Sequence, residues 1–163
     1  MIVAIDTGFL FQLADVEDEA WNLYAQLLEA TTQFRLITTP AVGDILELLA
    51  HTSESRVVQR VRRIWRGLSG EWRIASVGLT ESQKKLAWIY SYHFSEVRLL
   101  ERAERLEAQV LGEAALLADL LLASPDSALH RIDVKRLIFE TRLLGRPGLV
   151  VFTPAQLSSH LAH

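Results

Sequence analysis

The sequence has no cysteine among its 163 residues. Disulfide frameworks and thiolate metal centres are therefore excluded, and any metal chemistry falls to carboxylates and histidines, which favours hard, oxygen-seeking cations. Proline and glycine are sparse, with four and eight copies, too few for a collagen-like repeat or a long linker. Long apolar runs are missing as well. The strongest, residues 116–123, carries Asp119 and falls well short of the roughly 20 residues that a bilayer span requires. The opening Met1-Ile-Val-Ala-Ile5 has no basic lead and meets Asp6 at once, so it reads as a buried strand rather than a secretory signal. An excess of positive charge is also lacking: 17 basic and 20 acidic side chains leave a net charge of −3. Nothing global draws the chain to nucleic acid, and such contact needs a local patch. These exclusions point to a soluble, cytoplasmic protein with no membrane segment.

What is present suits one domain over residues 1–163. Half of the residues are hydrophobic, and a chain of this length buries roughly 70% of its unfolded surface. Short β-rich apolar runs alternate with helical periodicity, the pattern of a parallel α/β sheet. Runs at 2–5, 34–38, 72–77, 128–132 and 149–152 predict five strands. The first is apolar at every position, as a central strand covered on both faces should be. Ala20, Leu23, Tyr24, Leu27 and Leu28 recur at helical spacing, as do Val57, Val61, Ile64, Trp65 and Leu68. Thr39-Pro40 and Thr153-Pro154 each set a capping hydroxyl ahead of a proline in a first helical turn. Residues 80–122 are almost continuously helical in pattern, with breaks predicted around His93 to Ser95 and near Gly112. A last full helix spans 134–144, stopped by Gly145 with Pro147 beyond.

In an open parallel sheet the strand ends form the ligand crevice. Asp6 follows the strand read as central, and Thr7-Gly8 begins the turn into the next helix, where backbone N–H groups can meet an anion. A helix cap is the bland account of this aspartate. Its company favours a site. Glu47 lies within the apolar Ile45-Leu46-Glu47-Leu48-Leu49, with Asp44 three residues earlier and near the same face. Glu113 opens the tightly packing Ala114-Ala115-Leu116-Leu117-Ala118, and Asp133 closes the run at 128–132.

The order of these acids resembles the PIN domain. Asp6-Thr7-Gly8-Phe9-Leu10 after an apolar strand, Glu47 after Thr38-Thr39-Pro40-Ala41-Val42, the Gly112-Glu113-Ala114-Ala115 segment, Asp133, and Leu149-Val150-Val151-Phe152-Thr153-Pro154 before a short final helix carry the resemblance over the whole chain. It implies a three-layer α/β/α sandwich with a small five-stranded, mainly parallel sheet. It also implies a Mg²⁺- or Mn²⁺-dependent ribonuclease with an RNA substrate, toxin-like, paired with an inhibitory antitoxin-like protein. Two cations about 4 Å apart would activate a water and stabilise the leaving oxygen of a phosphodiester. On this resemblance Asp6 and Glu113 are direct metal ligands, Asp133 a metal ligand or water-holder, Glu47 a second-site or outer ligand, and Thr7 positions a metal-bound water or a phosphate oxygen.

Departures point to an alternative, a catalytically impaired module that binds protein or RNA. Many active members have Asn where this chain has Gly8, which removes a hydrogen bond around the site. Asp44 competes with Glu47 for the second acidic position. Arg131, two places before Asp133 in the predicted strand, would share its side and could pair with the carboxylate in place of a cation. Asp126, after Ser124-Pro125, is the fallback acid, with a turn as its simpler account.

Arg56, Arg60, Arg62, Arg63 and Arg66 fall within eleven residues, and no acid lies between Ser55 and Gly70. Arg56, Arg60 and Arg63 share a helical face, either as a track for RNA phosphates or as a solvated stripe. The alternating charges of residues 101–107 read as surface. Trp88, Tyr90, Tyr92 and Phe94 lack interleaved basic residues and read as core or as a homodimer contact rather than a base-stacking platform. The five histidines have no ligand spacing. Asp6-Thr7-Gly8 also spells the aspartic-protease triplet, but such enzymes need two paired copies in an all-β setting.

Overall fold

The computed structural model describes every residue except Thr31, Ser53 and His163. The chain runs β1 (Ile2–Ile5), α1 (Thr7–Ala14), α2 (Asp18–Glu29), β2 (Arg35–Thr38), α3 (Pro40–Thr52), α4 (Ser55–Arg66), β3 (Ala75–Ser76), α5 (Glu81–Glu96) and α6 (Arg105–Leu117). It continues with β4 (Leu120–Leu122), α7 (Val134–Leu143), β5 (Val150–Phe152) and α8 (Pro154–Leu161). A turn of wide helix, Gly67–Glu71, extends α4, and a 3₁₀ turn, Ala128–Arg131, precedes α7.

All strand pairings are parallel, in the order β3-β2-β1-β4-β5. The chain fills one half of the sheet outward from β1, then returns to β1 and fills the other with β4 and β5. Helices cover both faces, giving the three layers expected from the alternating pattern. Val3, Ala4 and Ile5 of β1 are buried, as a central strand requires. No helix among the described residues is long and apolar enough to cross a membrane.

Four sequence expectations need correction. The fourth strand is Leu120–Leu122, not 128–132. It escaped notice because the small apolar residues of α6 run straight into it. The junction is fixed by Asp119, whose carboxylate accepts the Ile2 N–H at 2.7 Å. Residues 128–131 instead form a 3₁₀ turn capped by Ser127, whose hydroxyl accepts from Leu129 N–H at 3.2 Å. Leu129 and Ile132 are buried three residues apart, the 3₁₀ period rather than the strand period. The helical break lies after Glu96, not at His93 to Ser95. Of the predicted third strand, 72–77, only Ala75 and Ser76 pair with β2.

Gly112 does not break a helix; it lets two helices meet. A Cβ there would lie 2.6 Å from the Ala87 carbonyl oxygen and 2.9 Å from the Ser91 nitrogen. Those are backbone atoms of α5 and cannot swing aside. Gly112→Ala should therefore destabilise the protein by about 1–3 kcal/mol through overpacking. Urea unfolding of the two proteins reads this directly, and equal midpoints would show that α5 and α6 separate freely.

Candidate functional site

The strand order reverses beside β1, so the crevice opens beyond the carboxyl ends of β1 and β4. Asp6 leaves β1 there, with its N–H bonded to the Leu122 carbonyl at 2.9 Å. It occupies the cap position of α1, yet its side chain makes no capping hydrogen bond. Burial pushes its carboxyl up to about 6, and the Glu107 charge adds to the rise. The Thr7 and Gly8 N–H groups and the Ser127 hydroxyl offset part of it. The neighbouring Thr7 hydroxyl is buried without a hydrogen-bond partner.

Gly8 has a local reason of its own. A Cβ at this position would lie 2.2 Å from Ser124 Oγ and 2.6 Å from Ser124 Cβ. The turn after β4 thus fills the space that an Asn side chain would need.

Glu113 is buried on α6 and reaches the start of α3. Both of its oxygens accept the Ala41 N–H, at 3.1 and 3.0 Å. Pro40 has no N–H, so Ala41 offers the first orphan donor of that helix. The expected cap, Thr39, faces the same carboxyl, but its hydroxyl reaches no hydrogen-bond geometry. Burial raises the Glu113 pKa, Ala41 and Thr39 counter it, and Asp44 adds to the rise. Glu113 and Asp44 line a cavity of about 260 Å³ with Lys84, Trp88, Ser91 and Gln109.

The remaining predicted acids lie elsewhere. Glu47 is exposed on α3; of the two competitors, Asp44 is the one beside Glu113. Asp133 does not follow a strand: it is the exposed cap of α7, accepting the Arg136 N–H at 3.1 Å. Arg131 does not meet it, and pairs with Glu104 at 2.7 Å. The turn that does follow β4 contains Asp126, which is exposed. Among the described residues no three His, Asp or Glu side chains are grouped to hold a metal ion. The Glu107 charge acts on Asp6, and the Asp44 charge on Glu113. Glu107 was missed in the sequence because it ends an alternating-charge stretch. Its signal was the spacing to Val110, Leu111 and Ala114, which sets it at the head of a buried stripe.

Of the arginines, Arg56 and Arg63 are exposed. Arg60 is committed to α1: its Nε donates to Asp15 Oδ1 at 2.9 Å, and its guanidinium stands 4.5 Å from the Phe11 ring centre. On α5, Tyr90 and Phe94 are core, while Trp88 and Tyr92 stack on the surface with centroids 5.5 Å apart.

Among solved structures, the chain is similar to a chain of VapBC2 from Rickettsia felis, solved bound to a DNA fragment from their promoter. The TM-score is 0.64 at 13% identity, over 94% of this chain and 98% of that one. The fold is PIN-like. No family model matches the sequence, and no curated protein does.

The elevated Asp6 pKa has a measurable consequence. Folded Asp6 holds its proton to about pH 6, whereas the unfolded chain releases it near 3.8. The native state therefore binds the extra proton in that window, and stability falls as pH rises through it. A rise of this size corresponds to about 3 kcal/mol at most. Asp6→Asn should stabilise the protein by about 1–3 kcal/mol at neutral pH and by almost nothing below about pH 3.5. Urea unfolding at both pH values tests this, and an equal gain at the two would show that charge burial is not its source.

Proposed function

We propose that this chain is a PIN-like module that acts by macromolecular interaction, with its nuclease chemistry impaired. One observation carries the reading: both oxygens of Glu113 are engaged at the start of α3, and among the described residues no three acids are grouped to hold a metal ion. The four-acid cluster of a two-cation site is not assembled in this arrangement.

The cavity beside Glu113 supports a protein partner. Without a divalent cation, Asp44 and Glu113 repel a phosphate and attract a lysine or arginine side chain. The exposed indole of Trp88 gives such a cation an aromatic wall. Lys84, on the same rim, is drawn to Glu81 at 3.1 Å. The likeness to a chain of VapBC2 adds support for an antitoxin-like partner. A second reading, a Mg²⁺- or Mn²⁺-dependent endoribonuclease acting on RNA, is favoured by Asp6, a buried carboxyl at the switch point that makes no capping hydrogen bond.

Two measurements separate the readings. With mixed RNA, the interaction reading expects no chelator-sensitive cleavage, and about 1 mM Mn²⁺ should leave the melting temperature unchanged because no site gains the ion. Cleavage that EDTA abolishes and Asp6→Asn loses would replace it with the nuclease reading. A short oligo-arginine peptide should quench tryptophan fluorescence, and Asp44→Asn should weaken that binding about tenfold, near 1.4 kcal/mol. Unchanged affinity would remove the crevice as the partner's seat.

A further inference from the structure

A second surface lies on α4, outside the acid crevice. Arg56, Arg62, Arg63 and Arg66 are exposed, and none is in an ion pair among the described residues. Helical spacing puts them on one side, opposite the buried Val61 and Ile64. Asp15, the acid reaching α4 from α1, is already bonded to Arg60. Glu54 stands at the start of the segment, and Glu71, at its end, is among the described residues the one acid lining a groove against the two arginines Arg62 and Arg66.

Trp65 lies at the edge of this stripe, one turn after Arg62 and next to Arg66. Its side chain is 38% exposed, and its ring tip rests beside Gly43 of α3, where a Cβ would lie 3.9 Å from Cη2. The Ser69 hydroxyl donates to the Trp65 carbonyl at 2.6 Å and closes the turn beneath it. Arg62, Trp65, Arg66, Ser69, Gly70 and Glu71 line a shallow groove of about 560 Å³.

A supported indole beside the paired guanidinium groups of Arg62 and Arg66 suits a nucleotide. The ring stacks a base, and the arginines hold the flanking phosphates. An acidic peptide would use the charges and leave the ring idle. A lipid surface would need apolar side chains projecting outward, but Val61 and Ile64 face the core. The net charge of −3 makes this face the local patch that a polyanion requires.

We infer that the groove on α4 binds single-stranded nucleic acid, with one base stacked on Trp65 and its phosphates held by Arg62 and Arg66. This goes beyond the protein-partner reading of the crevice and does not depend on it. The test is fluorescence anisotropy with labelled oligo-U and oligo-dT of about 12 nucleotides, at about 50 and 200 mM salt. Binding to either supports the site, and the stronger of the two identifies the sugar. Trp65→Ala and the double change Arg62→Gln with Arg66→Gln should each weaken binding by about tenfold or more, and the double change should flatten the salt dependence. Trp65→Phe keeps a packed ring and should retain most of the affinity, and it covers the case in which the alanine variant fails to fold. Lys135→Gln with Arg142→Gln, which removes the same two charges from the exposed side of α7, should have no effect. No binding at low salt would overturn the inference. So would affinity indifferent to Trp65 and to both arginines, or equal affinity for a duplex of the same length.

Discussion

The Glu113 carboxylate on the Ala41 N–H fixes how the two halves of this sheet meet. Pro40 starts α3 with the favourable backbone angle but without a donor, so Ala41 carries the first orphan N–H, and it is buried. An unpaired buried N–H costs about 1–3 kcal/mol. The partner comes from α6, 72 residues away, and a carboxylate at a helix N-terminus adds about 0.3–2 kcal/mol. α6 can deliver it only because Gly112, the preceding residue, lets that helix lie against the backbone of α5. A glycine that packs two helices thus sets the depth of an acid that caps a third.

At the switch point itself the constraint is steric. Gly8 and Ser124 share one small space, so the turns after β1 and β4 close upon each other beside Asp6. That closure dries the Asp6 carboxyl and raises its pKa. The departure from the Asn expected at position 8 is therefore coupled to the residue facing it, and the two positions form one unit.

Much of the architecture could be read directly. The wholly apolar Ile2–Ile5 marked a central strand, and Thr153-Pro154 marked the start of α8, where Thr153 and Gln156 form a reciprocal cap at 3.1 and 2.8 Å. What escaped was local conflict between periods. Leu120–Leu122 is too short to show an alternation, and it follows a helix of the same composition. Misplacing that strand carried Asp133 with it, because a residue's role at a strand end follows from where the strand stops. Pairwise competition was equally invisible: five arginines look alike in sequence, and only the fold gives Arg60 an aspartate and a phenyl ring.

Glu113 faces two incompatible demands. As a cap it needs both oxygens turned to the Ala41 N–H; as a cation ligand it would turn them into the cavity and leave that donor bare. Asp6 carries a lighter duty: the Thr7 and Gly8 N–H groups face its carboxyl, but it accepts no capping hydrogen bond from deeper in α1. The two acids most buried in the crevice are thus unequal: one holds the fold together, and the other is held by it at a cost in stability. Asp44 stands at the rim of the crevice, its carboxylate exposed beside the buried one.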